Sequence, residues 1–176
     1  MKYITFLRGI NVSGQKLIKM EELRKVFEDM GFKNVRSYIQ SGNVIFESAK
    51  ANPESLRNKI EKLLCKIYGY EVTAVIRTIP EIEKVVKGYP FSKVKGKKEC
   101  KIYVSFLTGK PDKNAVKELT TLNNNDEIFH AIGNNVYCLN RKGYVDSLLG
   151  KNILEKKLKV KATVRNWNTV NKILKI

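Results

Sequence analysis

Proline is scarce in this chain, at four residues in 176, and glycine stops at eleven. Fibrous and low-complexity architectures need far more of both. Long apolar runs are missing too: none approaches the ~18 residues a membrane-spanning helix requires. The opening Met1-Lys2-Tyr3-Ile4-Thr5-Phe6-Leu7-Arg8 meets charge too early for a signal-peptide core. Cys65, Cys100 and Cys138 are odd in number, far apart and without a CxxC pair. They read as free thiols of a reducing, cytoplasmic environment, which argues against a disulfide framework or a structural zinc site. Histidine occurs once, as His130.

Charge of one sign dominates what is present. The formal net charge is +17, large enough to raise nucleic acid as a partner. Of the 34 basic residues 27 are Lys and only 7 are Arg, whereas specific phosphate and base readers lean on the bidentate guanidinium. The excess is uneven. Residues 1–91 carry 16 basic and 10 acidic residues, residues 92–176 carry 18 and 7. The dense stretches are Lys93, Lys95, Lys97, Lys98 and Lys101, then Lys151, Lys156, Lys157, Lys159 and Lys161. A solvated Lys-rich surface and a polyanion-binding surface both fit this pattern.

The order of elements carries the fold. Residues 3–8 read as a strand. Lys19 to Met30 reads as a helix, with Met20, Leu23, Val26, Phe27 and Met30 at helical spacing and Gly31 as its stop. Val35 to Ile39 and Val44 to Phe46 form a hairpin through Gln40-Ser41-Gly42-Asn43. Asn52-Pro53-Glu54 opens a second helix, with Asn as cap and Pro at its first position, and Glu71 to Arg77 closes as a strand. That is the βαββαβ order of a ferredoxin-like lobe. A linking helix follows, with Thr78 and Glu81 at capping-box spacing. Beyond the basic loop the order recurs: a strand over 101–107, a helix over 112–122, a hairpin around Gly133-Asn134-Asn135, a helix over 146–158, a short strand near 160–162 and a final helix from about Arg165 to Leu174. The class is therefore α+β, with a ferredoxin-like lobe over 1–78, a linking helix and basic loop over 79–99, and a second lobe of similar plan over 100–176.

In such a sheet the first and third strands are antiparallel neighbours, so the end of one lies beside the start of the other. This brings Arg8-Gly9-Ile10-Asn11-Val12-Ser13-Gly14 toward Gln40-Ser41-Gly42-Asn43. Two polar, glycine-containing loops meet at one end of the first lobe.

Three segments together resemble a known bacterial family, domain of unknown function 1697: Leu7-Arg8-Gly9-Ile10-Asn11-Val12-Ser13-Gly14, Tyr38-Ile39-Gln40-Ser41-Gly42-Asn43-Val44-Ile45-Phe46, and Ala162-Thr163-Val164-Arg165-Asn166-Trp167-Asn168-Thr169-Val170. The first two are the most specific. Family members usually carry Gly where this chain has Ser13. The resemblance implies an α+β protein of two lobes, one of them ferredoxin-like, and brings no established activity.

The residue types narrow the chemistry. Gly9 and Gly14 have P-loop spacing, but Gln15 precedes Lys16 and Leu17 replaces the magnesium-binding hydroxyl, which argues against nucleoside triphosphate hydrolysis. The motifs hold no Asp, Glu, His or Cys for acid–base work. No metal-ligand spacing occurs, and no cofactor is implied. An enzyme is therefore not the favoured reading. What remains is recognition. Arg8, Gly9, Asn11 and Gly14 could cradle an anion or only shape their loop. Tyr38, Gln40, Ser41 and Asn43 offer more hydrogen-bonding groups than a tight turn needs. Arg165 and Asn166 would sit in a first helical turn, where a cation opposes the helix dipole unless an anion is near. These ten residues form the candidate site for a small anionic or nucleotide-like ligand. The alternative is a weakly specific nucleic-acid module using the Lys-rich second lobe. Base stacking on Tyr3, Phe6 and Phe46 competes with a core role for those rings.

Overall fold

A computed structural model describes residues 1–12, 14–94 and 100–176 of the chain. Ser13 and the basic-loop residues Lys95, Lys97 and Lys98 lie outside the described residues. Two compact units emerge, Met1–Glu83 with Ile176, and Lys84–Lys175.

The first unit runs β1 (Lys2–Leu7), α1 (Met20–Asp29), β2 (Lys33–Tyr38), β3 (Asn43–Glu47), α2 (Pro53–Tyr68), β4 (Ala74–Thr78) and α3 (Ile79–Lys87), the last of which crosses the division between units. Its strands order as β2-β3-β1-β4. β1 is antiparallel to both β3 and β4, with Phe6 opposite Asn43 and Leu7 opposite Ala74. Local chemistry sets the helix limits. The Asn52 side chain accepts the Glu54 N–H at 2.8 Å, Pro53 takes the first helical position, and Gly69 ends α2 in the left-handed region at φ 76°. Thr78 and Glu81 form the reciprocal capping box at the start of α3: the Thr78 N–H donates to Glu81 Oε2 at 2.7 Å and the Glu81 N–H returns to Thr78 Oγ1 at 3.4 Å.

Alternation along the strands builds the core. Tyr3, Leu7, Val44, Phe46, Ala74 and Ile76 pack against Leu23 and Phe27 of α1 and against Leu56, Ile60 and Leu64 of α2. Phe46 is the hub, with ring centroids 4.3 Å from Phe32, 5.5 Å from Phe27 and 5.7 Å from Tyr3. Tyr3, Phe6 and Phe46 are fully buried. They are core rings and present no face on which a base could stack.

The second unit repeats the plan: β5 (Lys101–Leu107), α4 (Lys113–Thr120), β6 (Glu127–Ile132), β7 (Asn135–Asn140), α5 (Ile153–Leu158), β8 (Ala162–Asn166) and α6 (Trp167–Ile173), in sheet order β6-β7-β5-β8. The registers coincide. Phe106 faces Asn135 and Leu107 faces Ala162, as Phe6 faces Asn43 and Leu7 faces Ala74. Arg77 opposite Ile4 becomes Arg165 opposite Val104. Two expectations need correction here. Residues 163–166 are strand, because Thr163 and Val164 suit a sheet and pair with Phe106 and Ser105. The helix over 146–158 shrinks to Ile153–Leu158. A Cβ at Gly150 would collide with the Tyr144 carbonyl, so the chain there is folded into turns that a helix cannot accommodate.

Gly42 is where the first sheet is most exacting. It sits at φ 73°, and a Cβ there would lie 2.7 Å from Ile10 Cδ1 and 2.8 Å from Leu7 Cβ. Gly9 has a similar φ of 66° but open space around it. Gly42→Ala is expected to cost about 2–4 kcal/mol by adding steric overlap to left-handed strain, and Gly9→Ala only about 1 kcal/mol. Urea unfolding of both variants checks the difference, and equal losses would contradict it.

Candidate functional site

The two loops meet through backbone first. The Leu7 N–H donates to the Gly42 carbonyl at 2.8 Å, and the Arg8 N–H donates to the Thr73 carbonyl at 2.9 Å. The β1–α1 connection then turns repeatedly: Gly9, Asn11, Gly14 and Lys16 all have positive φ. Val12 and Gln15 close a small bridge, the Gln15 N–H reaching the Val12 carbonyl at 2.9 Å. Lys16 is drawn down onto the Tyr70 ring, 5.0 Å from its centroid, and donates to the Glu71 carbonyl at 3.0 Å.

Asn11 joins the loops. Its amide nitrogen donates to the Gln40 carbonyl at 2.8 Å and to the Ile18 carbonyl at 2.9 Å, and its oxygen accepts the Ile18 N–H at 2.8 Å. Asn is one of the few non-glycine residues that tolerates its φ of 54°. Across the hairpin, the buried Asn43 donates to the Tyr38 carbonyl at 2.9 Å and to Ser41 Oγ at 3.0 Å. Asn11 and Asn43 therefore spend their amide protons holding the loops. Arg8, Tyr38 and Ser41 are half-buried, while Gly9, Gly14 and Gln40 are exposed at the same end.

Arg165 and Asn166 belong to the second unit. Arg165 lies in β8, not in a helical turn, so the dipole argument for an anion beside it lapses. Its Nη1 donates to Thr163 Oγ1 at 2.8 Å and to the Val164 carbonyl at 2.9 Å. Burial pushes its ionisation down to about 10, which leaves it charged at neutral pH. Asn166 caps α6, its oxygen accepting the Asn168 N–H at 2.8 Å.

Beside the loops runs a groove of about 550 Å³ whose lining includes Asn11, Leu17, Ile18, Met20, Arg24 and Gln40. Sequence reasoning named only Asn11 and Gln40 among these. The signal available for the others was Leu17, an apolar residue in a polar loop, which is 71% exposed. Lys19, Glu21 and Glu22 also line the groove, at the start of α1, where Lys19 supplies no side-chain cap.

The matching family model is described as a protein of unknown function (DUF1697) and covers residues 1–137. The chain belongs to the DUF1697 family. The matched span takes in the first two motif segments and stops before the third. No curated protein matches the chain. In fold the chain is similar to the conserved bacterial protein SP0830 from Streptococcus pneumoniae, at 23% sequence identity and a TM-score of 0.77, with 99% of this chain and 97% of that one covered. That likeness establishes a shared architecture across the whole chain.

The groove's own titratable groups are Lys19, Glu21, Glu22 and Arg24; the one histidine belongs to the second unit. His130 is exposed on β6. Cys138 is buried in the second unit, its thiol pushed far up by burial and then by the Glu127 charge. Among the described residues, no helix is long and apolar enough to cross a membrane.

Two substitutions probe the loops. Asn11→Ala removes three hydrogen bonds at a part-buried position and is expected to cost about 1–3 kcal/mol. Hydrogen exchange should quicken over residues 9–18 while β1 and β3 stay protected, whereas uniform protection would mean that Asn11 is no brace. Ile39 is β-branched, 49% exposed, and held at φ 51°. Ile39→Asn should raise stability by about 0.5–1 kcal/mol by relieving left-handed strain, measured as a higher denaturation midpoint.

Proposed function

We propose that the loop end of the first unit binds a small anionic or nucleotide-like ligand. The supporting observation is a comparison internal to the chain. The second unit closes the same end of its sheet with equivalent bonds, Leu107 N–H to the Asn134 carbonyl and Thr108 N–H to the Lys161 carbonyl, each at 2.9 Å. It joins β5 to α4 with residues 108–112 and β6 to β7 with residues 133 and 134. The first unit uses residues 8–19 and 39–42 for the same junctions. The added length is not required by the βαββαβ plan. Among the described residues, six of the twelve with positive φ fall within it, three of them the non-glycine residues Asn11, Lys16 and Ile39, and left-handed strain at non-glycine residues is characteristic of recognition sites.

The groove's chemistry narrows the ligand. Leu17, Ile18 and Met20 supply an apolar wall suited to a ring, and Gln40 offers both a donor and an acceptor for its polar edge. Lys19 and Arg24 are countered by Glu21 and Glu22, so the groove holds no net positive charge for a polyphosphate. A ligand with one anionic group beside a planar ring, such as a nucleoside monophosphate, fits this balance better. Asn11 and Asn43 then act as positioning residues, with Gln40 and the apolar wall making contact.

Thermal unfolding with a panel of nucleosides and nucleoside mono- and triphosphates tests the proposal. A monophosphate at 100 times its Kd should add about 2.7 kcal/mol, or roughly 5–10 °C for a chain of this size. Replacing residues 8–19 by the Thr108-Gly109-Lys110-Pro111-Asp112 connection should keep cooperative unfolding and abolish that shift. Gln40→Ala and Leu17→Gln should weaken it without loss of fold. If no compound of the panel stabilises the unaltered protein at millimolar concentration, the proposal fails.

A further inference from the structure

We propose that the α4–α5 face of the second unit binds the phosphate backbone of double-helical nucleic acid. This surface lies in the other unit and takes a different class of partner from the groove. α4 and α5 pack side by side on one face of their sheet, with Leu119, Leu154 and Leu158 in a common core. Lys157 and Glu118 tie the two helices at 3.8 Å. The Lys161 carbonyl accepts the Thr108 N–H, which brings the chain beyond α5 against the connection that leads to α4. Lys110, Lys113, Lys117, Lys156, Lys159 and Lys161 are all exposed in this region.

The sign of the charge here is not a uniform property of the chain. In the first unit α1 and α2 balance six basic against six acidic residues, whereas α4 and α5 carry four lysines against two glutamates in a shorter span. The flanking segments add Lys110, Lys151, Lys159 and Lys161 against Asp112 alone. The carboxylates are also engaged. Asp112 caps α4 by accepting the Asn114 and Ala115 N–H groups, and Glu155 accepts the Ala162 N–H at 2.6 Å.

One position carries a lysine where backbone preference favours glycine. The second helix of each unit ends in a left-handed residue whose N–H returns to the carbonyl four residues earlier. In the first unit this is Gly69, bonded to Cys65, and in the second it is Lys159 at φ 53°, bonded to Glu155. Glycine is the unstrained residue for that cap, and the second unit places a lysine there.

Residue type indicates the form of the polyanion. Neither helix nor its flanks contain an aromatic side chain for stacking on single-stranded bases. Arginine for bidentate base readout is absent as well. Among the described residues, none of the exposed large hydrophobics falls in 108–120 or 151–161, so nothing there would insert into a bilayer. Lysines alone suit sequence-independent contact with duplex phosphates.

Fluorescence anisotropy with a random-sequence duplex of roughly 20 base pairs, across a salt series, tests this, since each phosphate neutralised adds about −0.9 to the log–log slope. A variant with Lys113, Lys117, Lys156 and Lys161 changed to Gln should flatten the slope by about 3–4 and lose at least tenfold in affinity. The control carries the same net charge, with Lys25, Lys50, Lys62 and Lys66 changed to Gln, and should change affinity by less than about threefold. Lys→Arg at the four test positions should retain the parent slope, which separates loss of charge from loss of fold. Equal weakening of variant and control would overturn the proposal, because the attraction would then belong to the whole chain. So would absence of duplex binding at low salt, or binding to phosphatidylserine vesicles without binding to duplex.

Discussion

The carboxamide of Asn11 ties together three stretches of backbone: its own loop, the approach to α1 at Ile18, and the hairpin tip at Gln40. A loop of twelve residues, with four positive-φ positions among its described residues, has a large conformational entropy to overcome. Three hydrogen bonds from one half-buried side chain, together with the Val12–Gln15 bridge and the Lys16 anchor on Tyr70, restrict that freedom. The close approach of Gly42 to Leu7 and Ile10 sets the other side. Without room for that contact the hairpin tip would stand off the sheet, Asn11 would lose its partner, and the groove wall formed by Gln40 would have no fixed position.

The two units separate what the fold requires from what has been added to it. The same registers, with Phe, Leu and Ala at matching places on the central and flanking strands, support a spare set of connections in one unit and an elaborate set in the other. In the elaborated unit the additions are strained and partly apolar in water, costs that packing of the sheet does not need. In the spare unit the distinctive material is electrostatic, carried on helices whose core contacts are ordinary. The two kinds of specialisation share a scaffold and do not compete for the same residues.

Much of the architecture was legible because the signals were local. Asn52-Pro53 and the Thr78–Glu81 pair act within one helical turn, so their spacing alone declares the starts of α2 and α3. The strand continuing through Thr163 to Asn166 was hidden by the apolar period of Trp167, Val170 and Ile173, which projects a helix backward into residues whose partners lie sixty positions upstream. The repeated order of elements was legible too, but no residue-level repeat of constant period accompanies it. Tyr3 corresponds to Tyr103, Asn43 to Asn135 and Ala74 to Ala162, offsets of 100, 92 and 88 that shrink as the loops shorten. A repeat without a constant period leaves no simple trace in sequence. In the site, the meeting of the two loops followed from topology, whereas the groove beside them depended on where Leu17 and Met20 point, and that is set by the turn geometry of residues 9–16.

The central place of β1 also bears on how the chain is made. Its five buried residues, Tyr3 to Leu7, are synthesised well before either of its sheet neighbours. β3 begins only at Asn43 and β4 only at Ala74. At synthesis rates of ~5–20 residues per second, the strand waits roughly 2–14 s for its two partners. Throughout that interval an uncharged, β-prone segment with two aromatic rings is without its sheet, the composition that invites pairing with other nascent chains. The positive charge on Lys2 and Arg8, which bracket the segment on either side, supplies the nearest available gatekeepers.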